Sequence, residues 1–393
     1  MDTPIASRKV RHYLRKIKRH GRHIPKIIRY GTPKKIVNIA LAEWELRRQA
    51  TTLKCIPYYY IIDVCNMCNL RCPLCPTGNT KIGRHQEIMP LESYKEIFDK
   101  VKEYALVVSL YNHGEPLLNA DIFSIIEHTH RNRVGTNISS NFNWPQPIDI
   151  NDFIRSGLDY VTMSLDGVTQ ETYEQYRVRG DIEEVFENLR RLVSAKKSLK
   201  SKTPFVEWQF IVFKHNEHEM AQARKMASEI GVDLLRFVSP AMQPEDMHRL
   251  DLQEKWMPDN PLYWERNPKL VAERGYIFDR TCFYLYRSMF IYPGGGVTPC
   301  CFAHNDRQDF GNIYRNSVSE IWNNATYRSA RMLFAKSPPA EERDATICDK
   351  CTVFRQDGAR LCGVRPAHEI FLEERKRAAD RAMGSERSPF TLA

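Results

Sequence analysis

From residue 57 to residue 238 the chain alternates short apolar runs with longer stretches in which apolar residues recur every three or four positions. The runs at 58–64, 106–111, 134–139, 159–165, 205–213 and 233–238 have strand length and are rich in Val, Ile, Tyr and Phe. Between them, helical periodicity covers 91–104, 120–132, 149–156, 181–198 and 216–230. Asn216 stands at the expected N-cap of the last of these, with acids in its first turn, and Gly231 at its expected end. Strand and helix in regular alternation predict a parallel sheet covered by helices. The pattern alone leaves an open sheet and a barrel equally possible.

The alternation stops at residue 239. Residues 239–281 are rich in Pro, Trp and Met and are predicted to be a linker or lid. Beyond them, a glycine run at 294–296 and "GNIYRNSVSEIWNN" predict a strand end and a helix capped by Ser317, and the tail from Glu373 is charged. The expected divisions are an extension over 1–56, a core over 57–238, the linker over 239–281, a second unit over 282–372 and a tail over 373–393.

Charge changes this picture at one end only. The formal charge is +10, but residues 8–35 hold twelve Lys/Arg and no acid, and the remainder of the chain from residue 36 holds 46 Lys/Arg against 47 Asp/Glu. Val10, Tyr13, Leu14 and Ile17 have helical spacing, so a basic, helical arm is expected that meets an anionic surface: lipid headgroups, a phosphorylated substrate or nucleic acid. A solvated basic helix packed on the domain is the plainer alternative. Uninterrupted apolar runs of about 18 residues are absent and no apolar segment follows the basic start, so a cytoplasmic protein without a transmembrane span is expected.

Eleven cysteines in a reducing compartment point to metal or redox chemistry rather than to disulfides. Four of them, Cys65, Cys68, Cys72 and Cys75, crowd the stretch "DVCNMCNLRCPLCPTG" directly after the first strand. A site made by three thiolates leaves a metal position open for chemistry, and soft sulfur donors select iron-sulfur or zinc over hard cations. A structural zinc site using all four thiols and a set of inert buried cysteines are the alternatives.

Cys68, Cys72 and Cys75 in a CxxxCxxC spacing after the first strand resemble the radical S-adenosylmethionine (radical SAM) superfamily, with Leu74 where that motif usually has an aromatic residue. Further similarities follow later strands in order. "YNHGEPLLN" is similar to the family's GGEP segment, with His113 replacing the first glycine and Gly114, Glu115 and Pro116 matching; "SSN" ends in Asn141; "MSLDG" holds Ser164 and Asp166; "YRVRG" holds Arg179; "WQF" holds Gln209. The resemblance implies a partial (βα)6 TIM-like barrel of the α/β class with its site at the carboxyl ends of the strands. It implies a [4Fe-4S] cluster on the three cysteines, S-adenosyl-L-methionine on the open iron, and cofactor contacts from the other residues named. Cys65 falls outside the motif.

A second group, Cys282, Cys300, Cys348 and Cys351, resembles the twitch form of the SPASM family, which holds one auxiliary [4Fe-4S] cluster, while Cys301 and Cys362 are left over as candidate hydrogen-atom donors. Zinc at this second site, or small buried cysteines at the left-over positions, are the alternatives. The resemblance implies an oxidoreductase or epimerase: an outside one-electron donor such as flavodoxin or ferredoxin reduces the first cluster, the cofactor is cleaved to a 5′-deoxyadenosyl radical, and that radical takes hydrogen from the substrate. Oxidation follows if the auxiliary cluster accepts an electron, and epimerisation follows if a thiol returns hydrogen. Peptide-modifying members of the family often carry an additional amino-terminal recognition domain, whereas here only about 55 residues, mostly basic, precede the first strand, so the resemblance implies a small or glycosylated metabolite rather than a peptide or protein. His113, Trp208 and Tyr286 are candidate pocket residues, and a non-catalytic metalloprotein that binds nucleic acid is the alternative of another class.

Overall fold

The computed structural model describes residues 24–144, 147–243, 246, 249–260, 263, 282–335 and 343–351. All six expected strands form: β1 (Tyr59–Ile62), β2 (Val107–Ser109), β3 (Gly135–Ser140), β4 (Tyr160–Ser164), β5 (Phe205–Ile211) and β6 (Leu234–Val238). Each pairs in parallel with the next in chain order. The free side of β1 is taken by β7 (Ser288–Ile291), again in parallel, and β8 (Gly296–Thr298) and β9 (Gly311–Asn312) follow antiparallel. The core and the carboxy-terminal unit therefore share one nine-stranded sheet.

Helices Leu91–Val101, Ile122–Arg131, Asp152–Arg155, Ile182–Ser198 and Met220–Ile230 fill the crossovers as the periodicity predicts. A seven-residue helix, Gln170–Tyr176, was not expected. Asn216 stands at the N-cap position of the 3₁₀ turn Glu217–Glu219 that leads into Met220–Ile230, but its side chain makes no cap bond. Its side chain accepts from the Phe213 amide at 2.7 Å and donates to the Asp166 and Ile211 carbonyls at 2.9 Å each, tying the ends of β4 and β5 together. Ser317 does cap its helix, in a reciprocal box with Glu320.

Residues paired across a parallel ladder face the same side, so the register sorts the strands into two faces. Tyr60, Ile62, Val108, Ile138, Val161, Met163, Val206, Trp208 and Phe210 share one face and are wholly buried beneath the helices. Trp208 is thus core, with its indole N–H on the Leu165 carbonyl at 2.8 Å. The other, inner face carries Tyr59, Ser109, Asn137, Tyr160, Glu207, Gln209 and Arg236, with Ile61, Val107 and Ile211 also on it. These polar groups bond to one another. Ser109 joins Tyr59 and Asn137 at 2.7 Å each, Tyr160 and Arg236 both donate to Glu207, and Arg236 donates to Gln209 at 2.7 Å. A closed barrel fills its interior with branched apolar side chains; this interior is a polar trough.

Candidate active site

The loop that follows β1 is pinned at its base before any cysteine is placed. Asp63 donates its amide to Ile291, and the Met89 amide returns to Val64 at 2.9 Å. Asn66 clasps the loop's far limb, accepting from the Glu87 amide and donating to the His85 carbonyl at 2.7 Å each. Within this frame the Cys75 amide donates to the Cys72 carbonyl at 3.1 Å, closing a turn that presents both sulfurs together. Three donors from elsewhere address the sulfurs: the Leu70 amide and Asn141 Nδ2 reach Cys68 Sγ at 3.4 and 3.7 Å, and Arg177 Nη1 reaches Cys72 Sγ at 3.8 Å. Leu70, Leu74, Tyr176, Phe213, Met242 and Trp256 form the apolar wall around them.

Burial, reinforced by neighbouring carboxylates and thiols, pushes Cys68 up to about 12; burial, opposed by Arg177, leaves Cys72 at about 11. Such thiols give up their protons to a metal, not to water. Burial lifts Cys65 to about 12 as well, but its contacts differ. It is fully buried, its backbone pairs with Ile88, and its sulfur donates to the Met67 carbonyl at 3.6 Å.

Gly114 lies so close to the loop that a Cβ there would sit 1.7 Å from the Cys65 carbonyl oxygen, so only glycine fits. Glu115 donates its amide to Met67 at 2.7 Å, and its carboxylate accepts from the Leu117 amide at 3.1 Å and the Asn141 amide at 2.8 Å. Burial, opposed by these bonds, lifts that carboxyl to about 7. Pro116 opens the short 3₁₀ turn that Glu115 caps. Ser164 ends β4, 3.3 Å from Ser139 Oγ, and Gln209 lies beside it in register on β5. Asp166, wholly buried, accepts from the Ile211 amide and from Arg177 Nε, both at 2.6 Å.

Arg179 is exposed, in a left-handed turn at φ 74°. The guanidinium that enters the site belongs instead to Arg177, one helical turn beyond buried Tyr173. Reading the short helix from its spacing would have singled it out.

The carboxy-terminal cysteines assemble from both flanks of β7. Cys351 donates its amide to the Cys348 carbonyl at 3.2 Å, in a 3₁₀ turn capped reciprocally by Thr346 and Asp349. Burial and then the neighbouring thiols push Cys282 and Cys300 well above the ordinary range, Cys348 and Cys351 acting on Cys282, and Cys301, Cys348 and Cys282 acting on Cys300. Cys301 turns towards the barrel, close enough to Tyr111 and Tyr292 to perturb both phenols. Its carbonyl meets His113 Nε2 at 2.8 Å, which ties the GEP segment to the auxiliary loop. Tyr286 is fully buried, and Cys362 lies outside the described residues. Among the described residues no three His, Cys, Asp or Glu side chains converge tightly enough for a lone ion. Two groups of desolvated, mutually interacting sulfurs fit polynuclear iron-sulfur clusters, whose ligands attach to different metal atoms.

The family model of the radical SAM superfamily matches residues 62–223, and that of the SPASM iron-sulfur cluster-binding domain matches 282–352. The chain belongs to the radical SAM superfamily. Within the superfamily it carries the SPASM feature, and with both matches come [4Fe-4S] clusters and S-adenosylmethionine as cofactors. As a radical SAM enzyme it is catalytic, which removes the reading of a non-catalytic nucleic-acid-binding protein. It is 26% identical over 183 residues to the GTP 3′,8-cyclase of Desulforamulus reducens, covering 46% of this chain and 54% of that relative. To the GTP 3′,8-cyclase of Clostridium botulinum it is 31% identical over 142 residues, covering 35% and 43%. The chain spans about half the length of the curated relatives it matches.

Among radical SAM structures it superposes on Streptococcus suis SuiB bound to S-adenosylmethionine with a TM-score of 0.52 at 15% identity, covering 73% of this chain and 69% of SuiB. Native anSMEcpe with bound AdoMet gives 0.51 at 16% identity, covering 84% and 100%. These likenesses establish the shared fold. No helix among the described residues is long and apolar enough to cross a membrane.

Proposed function

We propose that this radical SAM enzyme takes a hydrogen atom from a small or glycosylated, hydroxyl-rich metabolite and completes an oxidation or an epimerisation. When bound, the first cluster and S-adenosylmethionine supply the radical chemistry. Cys68, Cys72 and Cys75 would hold that cluster, and Gly114, Glu115, Pro116, Asn141, Ser164, Asp166 and Gln209 stand around the place of the cofactor. The observation that carries the substrate reading is the polar trough: Tyr59, Ser109, Asn137, Tyr160, Glu207 and Arg236 offer donors and acceptors on the inner strand face, where a sugar's hydroxyls find partners and an apolar side chain would leave them unpaired. Cys282, Cys300, Cys348 and Cys351 would hold one auxiliary cluster as electron acceptor. Cys301, near enough to Tyr111 and Tyr292 to influence both, would return a hydrogen atom.

A peptide substrate is the competing reading, supported by the fold likeness to SuiB bound to precursor peptide SuiA, at a TM-score of 0.53 and 14% identity. The test uses anaerobically reconstituted protein with S-adenosylmethionine and a one-electron donor, flavodoxin or ferredoxin, and a panel of carbon-deuterated sugars, nucleotide sugars and peptides. Mass spectrometry of released 5′-deoxyadenosine is expected to show deuterium from a sugar-containing substrate. Deuterium from peptides alone would overturn the reading.

A further inference from the structure

The helix Pro33–Arg48 packs Ile39, Leu41 and Leu46 partly against the core, yet its most buried side chains are mostly polar and three of its large apolar ones are exposed. Its buried positions are Lys35, Asn38, Ala42 and Glu45, between 0 and 6% exposed, whereas Ile36, Val37 and Trp44 are 48, 68 and 50% exposed. The polar face is fully engaged with the domain. Lys35 Nζ donates to the Arg133 carbonyl at 2.9 Å, Asn38 exchanges bonds with the Ile56 backbone at 2.8 and 2.9 Å, and Glu45 accepts from the Lys54 and Cys55 amides at 2.7 and 3.1 Å. The face towards solvent reads Pro33, Val37, Ala40, Trp44 and Arg48 at successive turns, with the Arg48 guanidinium 4.7 Å over the Trp44 ring. In the preceding helix, Ile24–Tyr30, Ile28 is 78% exposed beside half-exposed Arg29.

Packing does not account for this stripe, because every bond that seats the helices comes from their other face. Charge indicates what covers it. The described residues 24–48 contain six Lys/Arg and two acids. The two acids inside the helix turn inward, Glu43 to Arg287 and Tyr58, and Glu45 to backbone amides. The outward surface is therefore apolar and cationic together, with an aromatic residue at its border. That combination suits the headgroup boundary of an anionic bilayer; nucleic acid uses the cations but has no use for exposed Ile and Val.

Location supports the same occupant. Tyr30 and Arg29 bond to Asp159 before β4, Lys35 to Arg133 before β3, and Glu43 to Arg287 before β7. The two helices thus cover the amino ends of the strands, opposite the cysteine loops, and the described part of the basic segment stands away from any substrate phosphate in the active site. We propose that this face docks the enzyme on an anionic lipid membrane, Ile28, Ile36, Val37 and Trp44 entering the headgroup boundary and Arg29, Arg47 and Arg48 meeting lipid phosphates, with the mouth of the barrel left open to solvent.

Co-sedimentation of the full chain with phosphatidylglycerol-containing vesicles tests this, against phosphatidylcholine vesicles and against duplex DNA as competitor. Binding is expected to anionic vesicles only and to weaken with salt. The double variant Val37→Ser/Trp44→Ser is expected to bind about tenfold more weakly, because the apolar term is lost while the charges remain. Its release of 5′-deoxyadenosine in solution is expected to match wild type, which establishes that it is folded. Equal vesicle binding by wild type and double variant, displacement by DNA to the same extent in both, or a dimer of wild type that the double variant dissolves would each overturn the proposal.

Discussion

Two turns in this molecule share one backbone device. At Cys72–Cys75 and at Cys348–Cys351 the second cysteine's amide donates to the first one's carbonyl, at 3.1 and 3.2 Å. Their surroundings differ. The first turn gains its third thiol from the same loop, four residues earlier, and polar groups from distant strands reach its sulfurs. The second gains two more thiols, from Cys282 and Cys300, and the rings of Tyr284 and Tyr327 stand close enough to feel those sulfurs. If Cys68, Cys72 and Cys75 hold the first cluster, three sulfurs from one loop would leave a place on it for a ligand; if Cys282, Cys300, Cys348 and Cys351 hold the second, four drawn from remote segments would close it. The same turn can thus serve an open centre or a sealed one, and what surrounds it decides which.

The largest expected effect separates the two turns by function. Cys72→Ala is expected to reduce 5′-deoxyadenosine release to background and to remove about half of the iron of the reconstituted protein, one cluster of two. Cys348→Ala is expected to remove a similar share of iron yet to keep cofactor cleavage, while losing the finished product. Iron analysis, electron paramagnetic resonance and nucleoside release check both. If Cys348→Ala also abolished cleavage, the division between an open and a sealed centre would fail.

The first of these centres was far more legible than the second. Its ligands lie within eight residues of sequence, and the strand that precedes them has a plain apolar signature, so spacing alone brings them together. The six strands were readable for the same reason: their outward faces are apolar apart from Thr136 and Ser140 on β3, and the sheet demands it. Other features resisted because they depend on contacts remote in sequence. The parallel pairing of β7 with β1 joins Ser288 to Tyr59, and nothing local announces it. Arg177 was passed over in favour of Arg179 because the helix that aims it is only seven residues long and carries two tyrosines where a longer helix would show aliphatic periodicity. Asn216 was read as a cap from its neighbours, but its amide is used across two strands.

A smaller effect sharpens the contrast in electrostatics. A charged donor aimed at a cluster sulfur favours the reduced, more negative state, and a buried carboxylate behind it moderates that effect. Arg177→Gln is expected to lower the midpoint potential of the first cluster by about 59 mV, a tenfold change in the ratio of reduced to oxidised cluster for one electron. Asp166→Asn is expected to move it the other way. Potentiometric titration without cofactor reads both, and the auxiliary cluster serves as the internal reference. Shifts of the same sign would mean that the two residues only support the loop.

The mildest substitution is aimed at the premise of the comparison. If the first centre is open, the fourth thiol of its loop must be idle. The Cys65 sulfur is spent on the Met67 carbonyl, its backbone is locked to Ile88, and Gly114 presses on its carbonyl oxygen, so turning the thiol towards Cys68 would disrupt all three contacts. Cys65→Ser keeps a donor for Met67 and is expected to leave iron content, the resonance spectrum and cofactor cleavage unchanged. Cys65→Ala, which leaves that carbonyl with the Glu115 amide alone and opens a small void, is expected to cost about 1 kcal/mol of stability, read as a fall of a few degrees in Tm with the same iron content. Loss of iron from the serine variant would make Cys65 a ligand, and the first centre would then be as closed as the second.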